Sequence, residues 1–516
     1  MSTATNKEFG KWRSMLWPVH GFELKKLLPM FLLLFFILFN YTILRDTKDT
    51  LIVTSTGPET ITFLKFWGVM PMAIFFVIIY SKMSNILSKP ALFYATIVPF
   101  IAFFALFATV LYPNREFLHP TELCDKMQAI LPLGFKGFID IFRHWTLSLF
   151  YVMSEMWGSM ALSLLFWGFA NDITKVSESK RFYSLFAVGG NVAPIASGFC
   201  IILCSDIRNK LPAGADAWQM SLNLMMALVV VAGFCAMGVY WWINKNVLTD
   251  ERFYDQSAIK QKKEKPKMSI KESFAYLCKS KYIGCIAMIV ICYGIAINLC
   301  EITFKSQLKA MFPNPNDYST FMGRYSMMTG ALTIFMALFV GSNVIRRFGW
   351  KVGALFTPVA LAATCAFFFS FVLFKGQVAP LIAFLGTTPL MLAVIFGTGA
   401  TVISKSAKYT LFDPTKEMAY IPLDQEQKVK GKAAIDVVGA RLGKSGGSLI
   451  QQGLLIPLHT VSRITPYVAG ILAFIILVWM ASARALSKRF NALTSGKEEA
   501  PAAAAKAPQD LTPEKA

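Results

Sequence analysis

Histidine is scarce in this chain, four residues in 516, and none of the four sits in a polar cluster. Nine cysteines are present without a paired Cys-x-x-Cys framework, so neither a zinc site nor a disulfide scaffold is indicated. Cys200 and Cys204, like Cys285 and Cys292, lie in apolar runs and read as small packing residues. No nucleophile, base and orienting group occur together, so catalysis has little to stand on; the chain is not read as an enzyme, and no metal or cofactor is expected. Acids are also short, 30 Asp and Glu against 51 Lys and Arg, for a net charge of +21. Such a balance can mark nucleic-acid binding. Here the Lys and Arg sit mostly in short connections between apolar runs, which makes them a topology signal and excludes nucleic acid as the first reading. The first 26 residues lack an apolar stretch with a small-residue cleavage site, so no signal peptide is expected and direct insertion into a membrane fits.

What the chain has in quantity is apolar sequence. It is 55% hydrophobic with a mean hydropathy of +0.51, unusual for a soluble protein, and its 33 Gly and 24 Pro suit kinked membrane helices. Runs of about 20 apolar residues cross a bilayer. Twelve are read here: 27–44, 63–80, 91–111, 138–169, 182–204, 218–243, 282–304, 320–343, 352–374, 387–409, 432–457 and 466–483. The longest polar break, 244–281, carries Lys260, Lys262, Lys263, Lys265 and Lys267 and divides the spans into two sets of six. The expected organisation is therefore a cytoplasmic segment 1–26, a six-helix half 27–243, a basic linker 244–281, a second half 282–490 and a disordered tail 491–516. The distribution of Lys and Arg puts both termini on the cytoplasmic side. The loop SKMSNILSKPALF after the second span matches SNVIRRFGWKVGAL after the eighth, and KRFYSLFAVGGNVAPIASG resembles KGKAAIDVVGARLGKSGGS at the fifth and eleventh. The fold class expected is an all-α membrane protein of twelve transmembrane helices in two pseudo-symmetric halves, similar to the major facilitator fold, with a substrate site between the halves.

Two acids stand out. Glu155 is alone in WTLSLFYVMSEMWGSMALSLLFWGF, and Glu301 is alone among charges between Ile283 and Phe304. A carboxylate at that depth costs several kcal/mol unless it faces a wet cavity or a partner, so both point to a polar pathway. Lys305 follows Glu301 by four residues and can pair with it on one helix face. At the end of the first span, NYTILRDTKDTL, Arg45 and Asp46 lie near the apolar body and are expected to point inward; for Lys48 and Asp49 a solvated helix end is as good a reading. Lys65, at the start of the second span, reads equally as a snorkelling interface lysine or a pathway residue. Lys405 and Lys408 add two cations near the end of the tenth span, and Asp436, Arg441 and Lys444 mark the Gly-rich eleventh. Cations clustered at low dielectric with few in-span acids suit a polyanion such as a phosphate chain. Trp67, Tyr151, Trp157, Tyr293, Phe304 and Tyr409 flank them, as packing residues or as platforms for a base. The segment GARLGKS is a Walker-A decoy: three residues separate its glycines where the phosphate loop needs four, and no strand precedes it.

FNYTILRDTKDTLIVTS, FLKFWGVMPMAI, MSEMWGS, LFWGFAN, NPNDYSTFMG, SKSAKYTLFDPTKEMAYIPLDQEQKVKGKAAIDVV and GKSGGSLIQQ resemble the ATP/ADP translocase family of plastids and obligate intracellular bacteria. The similarity covers about residues 7–490, and the basic central loop looks most like chlamydial members. It implies a nucleotide antiporter exchanging host ATP for bacterial ADP at the inner membrane, with ATP and ADP as substrates, phosphate as a co-substrate to be tested, membrane lipid as surroundings and no obligate protein partner. The family's transport-critical charges fall by motif on Lys65, Glu155, Glu301 and Lys444, which are expected to line one cavity between the halves. Ala400-Thr401 and Cys300 depart from the family pattern beside that expected cavity. Relatives in such bacteria include proton-coupled nucleotide importers and broader exchangers, so proton-coupled import is the second reading.

Overall fold

Helix starts are written plainly in the chain. Ser88, Asp216, Ser280, Asn314 and Thr388 each cap a helix by accepting a hydrogen bond from a backbone N–H two or three residues on. Pro58, Pro90, Pro315 and Pro389 occupy first-turn positions where a missing N–H costs nothing. The computed structural model describes residues 19–250 except 175 and 213, residues 280–423 except 383 and 385, positions 428, 431, 432, 435 and 439, and residues 440–504. Most of the basic linker, the start of the N-terminal segment and Asp436 lie outside them.

Among the described residues eleven helices are long and apolar enough to cross a membrane. They are α1 (Gly21–Ser55), α2 (Pro58–Ile86), α3 (Lys89–Leu111), α4 (Trp145–Ile173), α5 (Arg181–Lys210), α6 (Ala217–Asn246), α7 (Lys281–Met311), α8 (Pro315–Gly341), α9 (Asn343–Leu373), α10 (Pro389–Ala419) and, after α11, α12, of which Val461–Leu493 qualifies as a span. The expected eleventh span corresponds to α11 (Ala440–Leu458), which is helical but carries Arg441, Lys444, Gln451 and Gln452 and is not apolar enough to count. It is nonetheless built into the bundle. A Cβ placed on Gly294 of α7 would lie 2.7 Å from the Gly443 Cα of α11, so only glycine lets these helices approach.

Three expectations are corrected. The fourth span does not begin at 138: His144 has non-helical dihedrals (φ −116°, ψ 50°), ending a short amphipathic helix, Lys136–Arg143, before α4 starts at Trp145. The first span does not end near residue 44; α1 continues to Ser55 because TLIVTS resumes the apolar character after the charges. The last helix runs Val461–Ala504, into the tail 491–516 expected to be disordered, where Lys, Glu and Ala are good helix formers.

The same neighbours recur in each half. Helix α1 packs on α4, α5 and α6, and α7 on α10, α11 and α12; α3 meets α6 as α9 meets α12. Between the halves the most extensive contact is α5 on α8, and it is glycine-mediated: a Cβ on Gly198 would meet the Gly323 carbonyl oxygen at 2.4 Å, and one on Gly323 would meet the Gly198 oxygen at 2.7 Å. Phe75, Phe199, Phe234, Phe339, Phe367 and Phe474 lie exposed on the bundle's exterior, as a lipid-facing surface requires. Pi-helical segments interrupt α2 (Leu64–Val69), α4 (Gly158–Phe166) and α10 (Lys408–Phe412), each beside or containing a charged residue singled out above.

Candidate functional site: a chain of ion pairs between the halves

Six side chains alternate in sign along one continuous path. The Lys65 Nζ is 2.9 Å from Glu301 Oε2, and Lys305 Nζ is 2.9 Å from Glu301 Oε1 and 2.8 Å from Asp49 Oδ2. Lys48 Nζ closes the path, 2.8 Å from Asp49 Oδ1 and 3.0 Å from Glu155 Oε1. The residues come from α2, α7, α1 and α4, so two links, Lys65–Glu301 and Asp49–Lys305, join opposite halves. Lys48, Asp49 and Lys305 are each 3% exposed, which makes unpaired charge there costly and the alternation a requirement of burial. Lys48 also sits 4.0 Å from the Tyr151 ring centroid, a cation–π contact at low dielectric.

Beside this path Arg45 donates from Nε to Asp46 Oδ1 at 3.0 Å and from Nη2 to Ser326 Oγ of α8 at 2.7 Å, and the Ser326 hydroxyl donates to Asp46 Oδ2. A cavity of about 20 Å³ opens between the halves, lined by Arg45, Asp49, Glu301, Phe304, Lys305, Tyr325, Thr401 and Lys405, among others. That is room for about one water, far too little for a nucleotide. Lys405 stands 5.0 Å from the Tyr325 ring centroid and has no carboxylate partner among the described residues.

All of these inter-half contacts sit toward the end of the bundle opposite the chain termini. The same end carries Arg208–Asp317 at 2.6 Å, Ser221 donating to Asn316 at 2.8 Å, and Trp67 Nε1 donating to Gln452 at 3.2 Å. Near the other end, pairs such as Lys26–Glu178 (2.7 Å), Arg181–Glu23 (2.6 Å), Lys408–Asp413 (2.8 Å) and Lys432–Glu417 (2.6 Å) each stay within one half. Among the described residues no ion pair joins the halves there.

The expected residues divide as follows. Lys65 and Glu301 are directly paired, Glu155 is joined to them through Lys48, Asp49 and Lys305, and only Glu301 of the expected four lines the cavity. Lys444 is exposed, close enough to Glu155 to feel its charge but without an ion-pair partner among the described residues. Arg45, Asp46 and Lys305 belong to the site; Lys405 lines the cavity; Lys408 is drawn away to Asp413. Asp436 lies outside the described residues, as does the side chain of Arg441. The expectation of cations with few acids is corrected: Asp46 and Asp49 balance the cluster. Among the aromatics, Trp157 is fully buried and hydrogen-bonded to the Ile37 carbonyl, and Tyr293 stacks on Phe412, so both are packing residues. Phe304, named from sequence, lines the cavity together with Tyr325, which the sequence does not single out. The GARLGKS segment is helical from Ala440, which removes any phosphate loop.

A lid of short helices, Arg115–Leu118, Thr121–Ile130 and Lys136–Arg143, lies over this end between α3 and α4. Its Gly134 sits against the α11 terminus, where a Cβ would fall 2.0 Å from the Ile456 carbonyl oxygen. Burial, then the nearby His119 and Arg143, push the His144 imidazole from its ordinary 6.5 down to about 4. Burial raises the Asp140 carboxyl, with Lys136 and Arg143 opposing.

Comparison with known proteins places this geometry. Solved structures share the fold: a D-xylose-proton symporter (TM-score 0.54, 11% identity, 89% of this chain and 96% of that one) and a bacterial homologue of the iron transporter ferroportin in an inward-facing state (TM-score 0.53, 11% identity, 92% and 100%). Sequence relatives are far nearer. ADP,ATP carrier protein 1 of Chlamydia muridarum is 58% identical over 97% of this chain and 95% of its own length. The chloroplastic ADP,ATP carrier protein 1 of Arabidopsis thaliana is 51% identical (92% and 75%), and ADP,ATP carrier protein 1 of Rickettsia prowazekii is 40% identical (97% and 100%). With residues 2–490 matching its model, the chain belongs to the TLC ATP/ADP transporter family.

Proposed function

We propose that this chain exchanges ATP for ADP across a bacterial inner membrane by alternating access, taking up ATP from outside and releasing ADP. The observation that carries the reading is the set of ion pairs that tie the halves at one end of the bundle. Three ion pairs, Lys65–Glu301, Asp49–Lys305 and Arg208–Asp317, tie the halves at the end opposite the termini. The Lys and Arg distribution supports cytoplasmic termini, which makes the tied end the outer one and this conformation outwardly closed. Lys405 and Lys444 remain as cations without carboxylate partners among the described residues, suited to a polyphosphate arriving from the open side. Lys65 takes the same role when the outer end parts. Glu155 and Glu301 hold cations while no nucleotide is bound and give them up as phosphate enters, so occupancy and closure are coupled through shared charges.

The domain boundaries fit this reading: six helices before the 244–281 linker and six after it move as two bodies about the α5–α8 glycine contact. The Glu301→Gln variant tests the role of the ion pairs. It should bind nucleotide with near-normal affinity and exchange it slowly, because one set of ion pairs can no longer be traded for another. Loss of binding with normal exchange of what remains bound would contradict it.

A further inference from the structure

The order of charges in the path says what happens when the outer end opens, given the alternating-access reading above. Separation of the halves breaks Lys65–Glu301 and Asp49–Lys305. Asp49 then still has Lys48 on its own helix at 2.8 Å, and Glu301 still has Lys305, one turn along α7, at 2.9 Å. Glu155 keeps Lys48. No buried carboxylate is stranded, on either side. Within the path, the one group that loses its sole carboxylate partner among the described residues is Lys65; Arg208, outside the path, parts from Asp317 at the same end.

We infer that Lys48 and Lys305 are positioning residues that keep the carboxylates of each half paired through opening, so that parting the halves releases one cation of this path, Lys65, into the outer vestibule. A buried carboxylate left alone resists exposure of its former partner's place, because its charge has no other stabilising group nearby. With Lys48 present, Asp49 can let go of Lys305. Without it, Asp49 has only Lys305 and holds the outer end shut. Two adjacent residues in one ion pair therefore have opposite effects on the conformational balance. Removing Asp49 takes away a tie between the halves and favours opening. Removing Lys48 takes away the substitute partner and favours closure. A purely structural pair would give the same destabilisation from either side.

The test is hydrogen–deuterium exchange on the full chain in lipid nanodiscs, without nucleotide, which keeps it independent of what the carrier transports. Peptides covering 58–64 and 455–461 report the outer end; those covering 343–350 report the inner. Asp49→Asn should speed outer-end exchange at least threefold, and Lys48→Met should slow it by a similar factor while inner-end exchange rises. Lys48→Arg should match the unmodified protein. If either variant folds poorly, Asp49→Ser and Lys48→Gln must shift the same way as their counterparts. Shifts of the same sign for the two positions, or no shift in either, would overturn the inference. If the opposite shifts appear in a protein that moves no nucleotide, the ion-pair inference stands and the substrate reading falls.

Discussion

Lys444 is the residue whose charge has least to do in the closed form. It is exposed, near Glu155, and without an ion-pair partner among the described residues. A charge-assisted contact to phosphate is worth on the order of 1.5–3 kcal/mol, so Lys444→Gln should lower nucleotide transport roughly ten- to a hundredfold with insertion unchanged. Near-normal uptake by well-expressed variant protein would remove Lys444 from the substrate path. Legibility at this scale followed local contrast. Glu155 and Glu301 announce themselves because each is a lone acid in a bilayer-length apolar run. Lys48 and Asp49 do not, because four charges within five residues at the end of an apolar run look like a solvated helix end. The sign that they are interior is the TLIV that follows, which extends α1 by another two turns and takes the charges with it. That Asp49 faces Lys305, 256 positions away, is a product of how the halves pack and has no local signature.

The elements carry two further tests. The α5–α8 contact needs glycine at both positions: Gly198→Val would drive side-chain atoms into the Gly323 carbonyl, an overpacking worth about 1–3 kcal/mol. Its thermal midpoint in detergent should fall by several degrees, while Gly453→Ala on α11, where a Cβ meets nothing within 4 Å, should leave it level or slightly raised. The lid offers a pH test. His144 titrates near 4 in the folded lid against 6.5 when free, so the folded form resists the proton and the lid loses stability as pH falls from about 6.5 towards 4. Asp140, raised by burial, works the other way. Protection across 115–143, measured against the intrinsic exchange rate at each pH, should therefore fall between pH 7 and 5, and His144→Phe should flatten the response. An unchanged response in the variant would place the pH sensitivity elsewhere. Sequence reading found these elements unevenly. Apolar runs located twelve spans, eleven of which form helices long and apolar enough to cross a membrane among the described residues. It misplaced the start of α4, since the amphipathic Lys136–Arg143 helix abuts it with one irregular residue between. In α11 the Gly-rich face that meets α7 leaves too little apolar surface to register by hydropathy.

At the scale of the whole molecule, a net-neutral path of ion pairs serves the exchange of one polyanion for another. Trading ATP carrying about four charges for ADP carrying about three moves one negative charge inward, opposed by ~2.3 kcal/mol per 100 mV of inside-negative potential. A surplus of ATP outside, or phosphate leaving with ADP, has to supply that difference. Uptake should accordingly slow under an imposed inside-negative potential and recover when phosphate is loaded inside, if phosphate travels with ADP; an unchanged rate with phosphate leaves the ATP gradient as the driver. The most direct measurement is labelled-ATP uptake by the purified protein in liposomes, empty or loaded with ADP, with and without a pH gradient. Exchange predicts uptake only into ADP-loaded vesicles, one ADP released for each ATP gained, and indifference to the pH gradient. Accumulation in empty vesicles driven by a proton gradient would contradict it and make the chain a proton-coupled importer.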